Sequence, residues 1–302
     1  MRVLISGASG LIGSALGQRL ADKGHQVIPL SRTAAPAGQP GVQWDPTAGR
    51  LPPEDLEGLD AVVHLAGESV AGGRWTPERK ERIRRSRVEG TGLLSRSLAA
   101  LGHPPEVLVC ASAIGYYGDR GDEELTEESP PGEGFLAEVT VQWEAAADPA
   151  RQAGIRVVHL RLGTVLSPAG GALAKMLTPF RMGLGGRLGR GGQYWSWVSL
   201  SDAVAAALHC LARSAMSGPV NGVAPEAVTN AEFTAALGRA LRRPTRFPVP
   251  GALLKLLLGE MGEALLLSSA RVRPGVLLND GFGFGQPQLT TALGAMLSRG
   301  TR

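Results

Sequence analysis

Arg2-Val3-Leu4-Ile5-Ser6-Gly7-Ala8-Ser9-Gly10-Leu11-Ile12-Gly13 opens the chain. A short apolar run of strand type leads directly into three glycines spaced by threes. A helical pattern from Leu11 to Lys23 follows and stops at Gly24, a natural C′ glycine. Glycines between a strand and a helix make a phosphate-binding turn, a stronger signal than the triplet alone. Gly7 allows the sharp turn, and Gly10 lets the backbone approach a pyrophosphate. Gly13 lets helix and strand pack closely, and the helix N-terminus with Ser9, Leu11 and Ile12 faces the phosphates. The plain alternative is a tight strand-to-helix turn with no ligand.

Working outward, short β-branched runs alternate with helical patterns over the first 165 residues, which argues for parallel strands joined by crossover helices. Strands are expected at Arg2 to Ser6, Gln26 to Leu30, Val42 to Trp44 (weakly), Asp60 to Leu65, Glu106 to Ala111 and Ile155 to Leu160. Pro29 places the second strand near an edge. Helices are expected from Thr76-Pro77 to Leu101 and from Phe135 to Ala153. The expected fold class is α/β, a doubly wound parallel sheet of Rossmann type with a smaller C-terminal substrate-side region. Beyond Arg161 the chain turns glycine-rich around a short helix near Ala172 to Phe180. Helices are expected at Ser201 to Ser214, started by Ser201 or Asp202, and at Asn230 to Arg242, capped by Asn230. The domain reading is 1–165 for a dinucleotide-binding domain, to which 195–222 returns, and 223–302 for a C-terminal substrate-side domain.

The end of the second strand bears on the choice of cofactor. A carboxylate there suits the ribose 2′-hydroxyl of NAD, and an arginine suits the 2′-phosphate of NADP. The residues are Leu30-Ser31-Arg32, with no acid until Asp45. Arg32 can hold a phosphate in a charge-assisted contact and Ser31 can donate to it, so NADP(H) is the expected cofactor. The bland reading makes Arg32 a solvated surface residue.

Composition excludes several classes. The 302 residues carry 31 basic and 27 acidic side chains, net +4, without a block of like charges, so no nucleic-acid partner is expected. The apolar stretch Leu253 to Leu258 is interrupted by Lys255 and falls far short of the roughly 20 residues a membrane span needs. No secretory signal is evident, and the two cysteines, Cys110 and Cys210, lack metal-ligand neighbours. No metal is expected, and the protein is expected to be cytoplasmic with a small-molecule substrate. His64, inside a buried strand pattern, reads as a core histidine. For the basic helix Arg79 to Arg87 a solvated face outweighs an anion-binding patch. Trp75, Trp195 and Trp197 read equally as substrate platforms or as packing.

The chain resembles the short-chain dehydrogenase/reductase superfamily in its extended, epimerase-like branch, within the NAD-dependent epimerase/dehydratase superfamily. The resemblance rests on the glycine spacing and on later segments in order. His64-Leu65-Ala66-Gly67 is similar to the strand end under the adenine ribose, and Arg87-Val88-Glu89-Gly90-Thr91 to a helix segment that usually begins with Asn. Ser112-Ala113-Ile114-Gly115-Tyr116-Tyr117-Gly118, after Ala111, resembles the loop holding an active-site Ser or Thr. Arg161-Leu162-Gly163-Thr164-Val165-Leu166 resembles the segment lining the nicotinamide. The resemblance implies cofactor contacts from Leu65, Ala66, Gly67, Arg87, Ala111, Gly163 and Val165. Ser269 to Pro274 and Gly281 to Phe284 resemble a short C-terminal domain of the DUF1731 type.

The same resemblance implies a Tyr-x-x-x-Lys pair on the helix after the serine loop, with Tyr as general acid/base. That helix reads Phe135-Leu136-Ala137-Glu138-Val139-Thr140-Val141-Gln142-Trp143-Glu144, without Tyr or Lys. None of the lysines, Lys23, Lys80, Lys175 and Lys255, stands four residues after a tyrosine. Candidate substitutes are Ser112, Tyr116, Tyr117 and Glu138, each weighed against a packing or surface role. Two readings stay open. One is an NADP(H)-dependent oxidoreductase or sugar-nucleotide epimerase with an atypical active site. The other is a catalytically silent NADP(H)-binding redox sensor or regulatory protein. A homodimer is common in the superfamily, but nothing in the sequence fixes an oligomeric state.

Overall fold

The structure, a computed structural model, describes residues 1–298, so residues 299–302 of the expected C-terminal region lie outside the described residues. Seven strands form the central sheet: β1 (Arg2–Ser6), β2 (Gln26–Ser31), β3 (Val42–Gln43), β4 (Ala61–His64), β5 (Val107–Ala113), β6 (Arg156–Leu162) and β7 (Gly218–Gly222). Their order is β7-β6-β5-β4-β1-β2-β3, and every pair is parallel. The chain winds outward from β1 to β3, returns to β4 beside β1, and winds the other way. The crevice where the two directions part, between β1 and β4, is where such sheets bind ligands.

Strand alternation sorts the core into two layers. Leu4, Val62, Leu108 and Val157 face one side, against α2 (Pro77–Ala99) and α4 (Asp148–Gln152). Val3, Ile5, Val63, Val109 and Val158 face the other, against Leu16 and Leu20 of α1 (Leu11–Asp22) and Val204 and Ala207 of α6 (Leu200–Ala212). Strands buried on both faces read as continuous apolar runs. Cys110 and Cys210 sit in these opposite layers as free thiols, and burial pushes each up to about 12. Pro29 is tolerated because β3 pairs only with Leu30 and Ser31, beyond it.

A third core caps the strand ends, where α5 (Gly171–Arg181), α7 (Asn230–Leu241) and the helix Leu289–Ser298 enclose Trp195, Trp197 and Phe233. The C-terminal segment is stitched back onto the sheet side. Arg271–Val272 pairs with Glu124–Leu125, and the Glu127 carboxylate accepts from the backbone N–H of both Asn221 and Val276. Among the described residues no helix is long and apolar enough to cross a membrane.

Three local expectations are corrected. The helix expected over 135–153 is two, α3 (Phe135–Ala145) and α4, because Pro149 lacks the N–H that would bond the Ala145 carbonyl. Helix α6 is capped by Ser199, whose hydroxyl accepts from the Asp202 N–H, rather than by Ser201 or Asp202. Helix α7 starts from Thr229 in a reciprocal capping box with Glu232, rather than from Asn230, whose side chain instead accepts from the Leu188 N–H.

Candidate cofactor cleft and active site

The glycine turn has no room for side chains. A Cβ at Gly13 would stand 2.2 Å from the Gly7 carbonyl oxygen, and Gly7 itself holds φ +68° with the β4 end 3.0 Å from where its Cβ would be. Gly10 leads into α1 in extended conformation, and no side chain caps the helix. The first N–H groups of α1 therefore stay available to an anion. A cavity of about 350 Å³ opens over them, lined by Gly7, Gly10, Leu11, Ile12, Gly13, Leu65, Ala111 and Val165. Backbone at one end and apolar strand ends at the other fit a pyrophosphate flanked by rings.

Ser6, which the sequence reading passed over, locks this turn. Its hydroxyl oxygen accepts from the N–H of Leu65 (3.0 Å) and Ala66 (3.2 Å) and lies 2.6 Å from His64 Nδ1. With two donors on its oxygen, Ser6 gives its own proton to Nδ1, so His64 carries its proton on Nε2. Burial lowers His64 to about 4, so it is neutral, edge-on to the Trp44 ring.

The other cofactor candidates lie along the same edge. Ser9 is exposed on the turn, and Gly67 is exposed past β4. Arg32 is exposed at the end of β2, and its guanidinium has no carboxylate partner among the described residues. Beside it the Ser31 hydroxyl donates to the Thr33 carbonyl. Arg87 lies beneath Gly67, donating to the carbonyls of Glu68 and Ile83 and stacking 5.0 Å from the Trp143 ring. Burial lowers Arg87 to about 10, against the opposing pull of Glu68, so it remains a cation at neutral pH. Gly163 is needed where segments cross, since its Cβ would meet the Ser196 carbonyl oxygen at 2.6 Å.

At the carboxyl ends of β5 and β6 stands a buried polar cluster. The Ser112 hydroxyl donates to Glu144 Oε1 at 2.6 Å. Arg161 donates Nε to Oε1 and Nη2 to Oε2 of the same carboxylate, each at 2.8 Å. Arg161 also donates to the Tyr117 hydroxyl (3.1 Å), which in turn donates to Asn221 Oδ1 (2.7 Å). Burial opposes the Arg161 charge, but the hydrogen bonds and field of Glu144 prevail and hold it above its ordinary value. Burial raises Tyr117, with Arg161 pulling the other way. The Arg161 guanidinium carbon sits 3.5 Å from the Tyr116 ring centroid, so Tyr116 is held against the cluster while its hydroxyl stays without a hydrogen-bond partner among the described residues.

The structure thus brings Ser112, Tyr116 and Tyr117 together and leaves Glu138 out. The face of α3 toward the Ile114–Tyr117 turn carries Leu136 and Thr140, one helical turn apart, and Glu138 points to solvent on the other side. Glu144 and Arg161 were missed as a pair. A charged residue inside the buried run Val157-Val158-His159-Leu160-Arg161 demands a partner, which was the available signal.

A second cavity, of about 450 Å³, shares Thr164 and Ala172 with the first and extends under α5 and α7. Trp195 lines it, whereas Trp197 is wholly packed and donates to the Glu226 carbonyl. A larger groove of about 660 Å³ between α1 and α6 shares no residue with either and lies away from the glycine turn. Among the described residues no three His, Cys, Asp or Glu side chains gather as a metal site.

Comparison with known proteins matches residues 3–222 to the model described as the NAD dependent epimerase/dehydratase family. The chain belongs to that family. Residues 249–296 match a domain of unknown function, DUF1731. Among curated family members, an epimerase family protein of Mycobacterium tuberculosis is 44% identical, over 98% of both chains. The human epimerase family protein SDR39U1 is 37% identical, over 97% of this chain and 98% of its own. A crystal structure of that human protein with NADPH superimposes with a TM-score of 0.89 at 36% identity, covering 99% of each chain. A family fold also joins this chain to a UDP-glucose 4-epimerase of Thermus thermophilus solved with NAD, at a TM-score of 0.78 and 22% identity over the whole of both chains.

Proposed function

We propose that the chain is an NADP(H)-dependent oxidoreductase of the epimerase-like branch that works without Tyr-x-x-x-Lys. The observation that carries this is the pair of adjoining cavities. A cleft fitted to a dinucleotide shares Thr164 and Ala172 with a neighbouring cavity large enough for a second molecule.

When bound, the cofactor exchanges a hydride at its nicotinamide. The uncapped N-terminus of α1 holds the pyrophosphate, and the Gly7 and Gly13 close approaches keep it near the sheet. Arg32 would hold the 2′-phosphate, with no carboxylate on that strand end to repel it, while the Ser31 hydroxyl beside it is spent on the Thr33 carbonyl; the NADPH in the human relative supports this choice. A carbonyl that gains a hydride needs a proton on its oxygen. Tyr116, whose hydroxyl has no hydrogen-bond partner among the described residues and whose ring lies against Arg161, would be the proton source. Ser112 and Tyr117 hold the geometry through Glu144 and Asn221. Residues 1–165 with 195–222 form the cofactor unit, and 223–298, joined by the 166–194 segment that lines the second cavity, the substrate side. The free, buried cysteines fit a reducing cytoplasm.

One observation favours the second reading, a silent NADP(H)-binding regulator: the Ser112 proton is already committed to Glu144. Following NADPH fluorescence with a panel of carbonyl compounds separates the two. Oxidation that falls about 100-fold or more in Tyr116→Phe, with NADPH affinity unchanged, supports the enzyme. Tight NADPH binding with no oxidation across the panel supports the regulator.

A further inference from the structure

The chemistry of the second cavity names the substrate class, an inference that rests on the oxidoreductase reading. Its wall is mostly apolar: Met176, Phe180, Leu188, Trp195 and Phe233 line it, with Thr164, Thr234 and Asn230 as its few uncharged polar side chains. A sugar nucleotide presents a diphosphate and a ring of hydroxyls, and each would need a donor or acceptor on leaving water. Lys175 is the one charged side chain among the lining residues. Polar capacity is partly spent, since Asn230 Oδ1 already accepts from the Leu188 N–H.

Lys175 stands exposed at the mouth, where Nζ donates to the Ala71 carbonyl at 3.1 Å. Lys80 and Lys255 pair with Glu260 and Glu263, whereas Lys175 has no carboxylate partner among the described residues. Inside, the Trp195 indole N–H is buried without a hydrogen-bond partner. The rim is apolar too, with Leu184 more than half exposed in the cavity wall.

We propose that the cavity binds an amphipathic small molecule with an apolar body and a single anionic group. The body fills the space under α5 and α7, and the carboxylate or equivalent anion meets Lys175 at the mouth. A medium-chain or aryl acid bearing the reactive carbonyl has this form, and a sugar nucleotide does not.

The test uses the full chain saturated with NADPH and the fluorescent probe 8-anilinonaphthalene-1-sulfonate, with decanoate, decanol and UDP-glucose as competitors. Decanoate should displace the probe at lower concentration than decanol, and UDP-glucose should not displace it. Lys175→Met should weaken decanoate about tenfold and leave decanol unchanged, because only the charge contact is lost. Met176→Trp, which crowds the cavity wall, should weaken displaceable probe binding about tenfold. Displacement by UDP-glucose alone, equal decanoate affinity in Lys175→Met, or displaceable binding undiminished in Met176→Trp would each overturn the proposal. NADPH titration of every variant reports folding. It also separates the two readings: loss of cofactor binding in the unaltered chain counts against the oxidoreductase, while the probe assay without cofactor still decides the cavity.

Discussion

Ser112 and Arg161, on neighbouring strands, share one carboxylate: both donate to Glu144 Oε1, at 2.6 and 2.8 Å. The Arg161 side chain is 3% exposed and that of Glu144 13%, so the guanidinium has little water to replace its partner. Glu144→Gln should therefore destabilise the fold by about 3–5 kcal/mol, the cost of leaving a buried cation unpaired. Ser112→Ala should cost only about 1 kcal/mol. Urea unfolding of both variants checks the order, and a Glu144→Gln variant as stable as the parent would show that the pair does not hold the site.

The two buried histidines make stability depend on pH. Burial lowers His64 and His159 to about 4 from an ordinary 6.5, so both are neutral in the folded chain and protonate first in the unfolded one. The unfolded state then binds more protons between pH 6.5 and 4, and stability falls as pH drops through that window. Each histidine contributes at most about 3 kcal/mol of that fall. Denaturation midpoints at pH 8, 6 and 5 should show the decline, and His64→Asn should make it shallower. An unchanged slope in His64→Asn would remove this histidine from the account.

Gly13→Ala tests the turn directly. A methyl 2.2 Å from the Gly7 oxygen forces the turn off the helix. Such overpacking costs about 1–3 kcal/mol. NADPH affinity should drop about 10- to 100-fold by calorimetry. Unaltered affinity would mean the cofactor does not sit on this turn.

Arg32→Ala tests the choice between the two nicotinamide cofactors. Losing a charge-assisted contact to a 2′-phosphate should weaken NADPH about 10- to 100-fold and leave NADH unchanged. Equal losses for both cofactors, or none for either, would dismiss Arg32 as the phosphate contact.

Much of the architecture was legible because its constraints are local. The demands on Gly7 and Gly13 come from residues within the same turn and the adjacent strand end, and buried parallel strands advertise themselves as apolar runs. The active site was less so. Glu144 and Arg161 are 17 residues apart on different elements, and only packing of α3 against β5 and β6 brings them together. Glu138 read as a candidate because the phase of α3 was open; Leu136 and Thr140 settled it by packing against Gly115. Cap positions slipped by one to three residues because several Ser, Thr and Asn side chains compete at each helix start, and tertiary contacts choose among them.

The C-terminal stitching has a temporal meaning. Ser269 bonds the Asp119 carboxylate and the Arg120 N–H, and Asp202 accepts from the N–H of Gly285 and Gln286. These partners are far apart in the chain, and such contacts form slowly. During synthesis the seven strands of the sheet emerge from the ribosome well before the segment that braces their open end. The wall over the strand ends is thus the last part the chain can build. Until it closes, β7 has no C-terminal cover, and the nascent protein carries its cleft open to whatever else is in the cell.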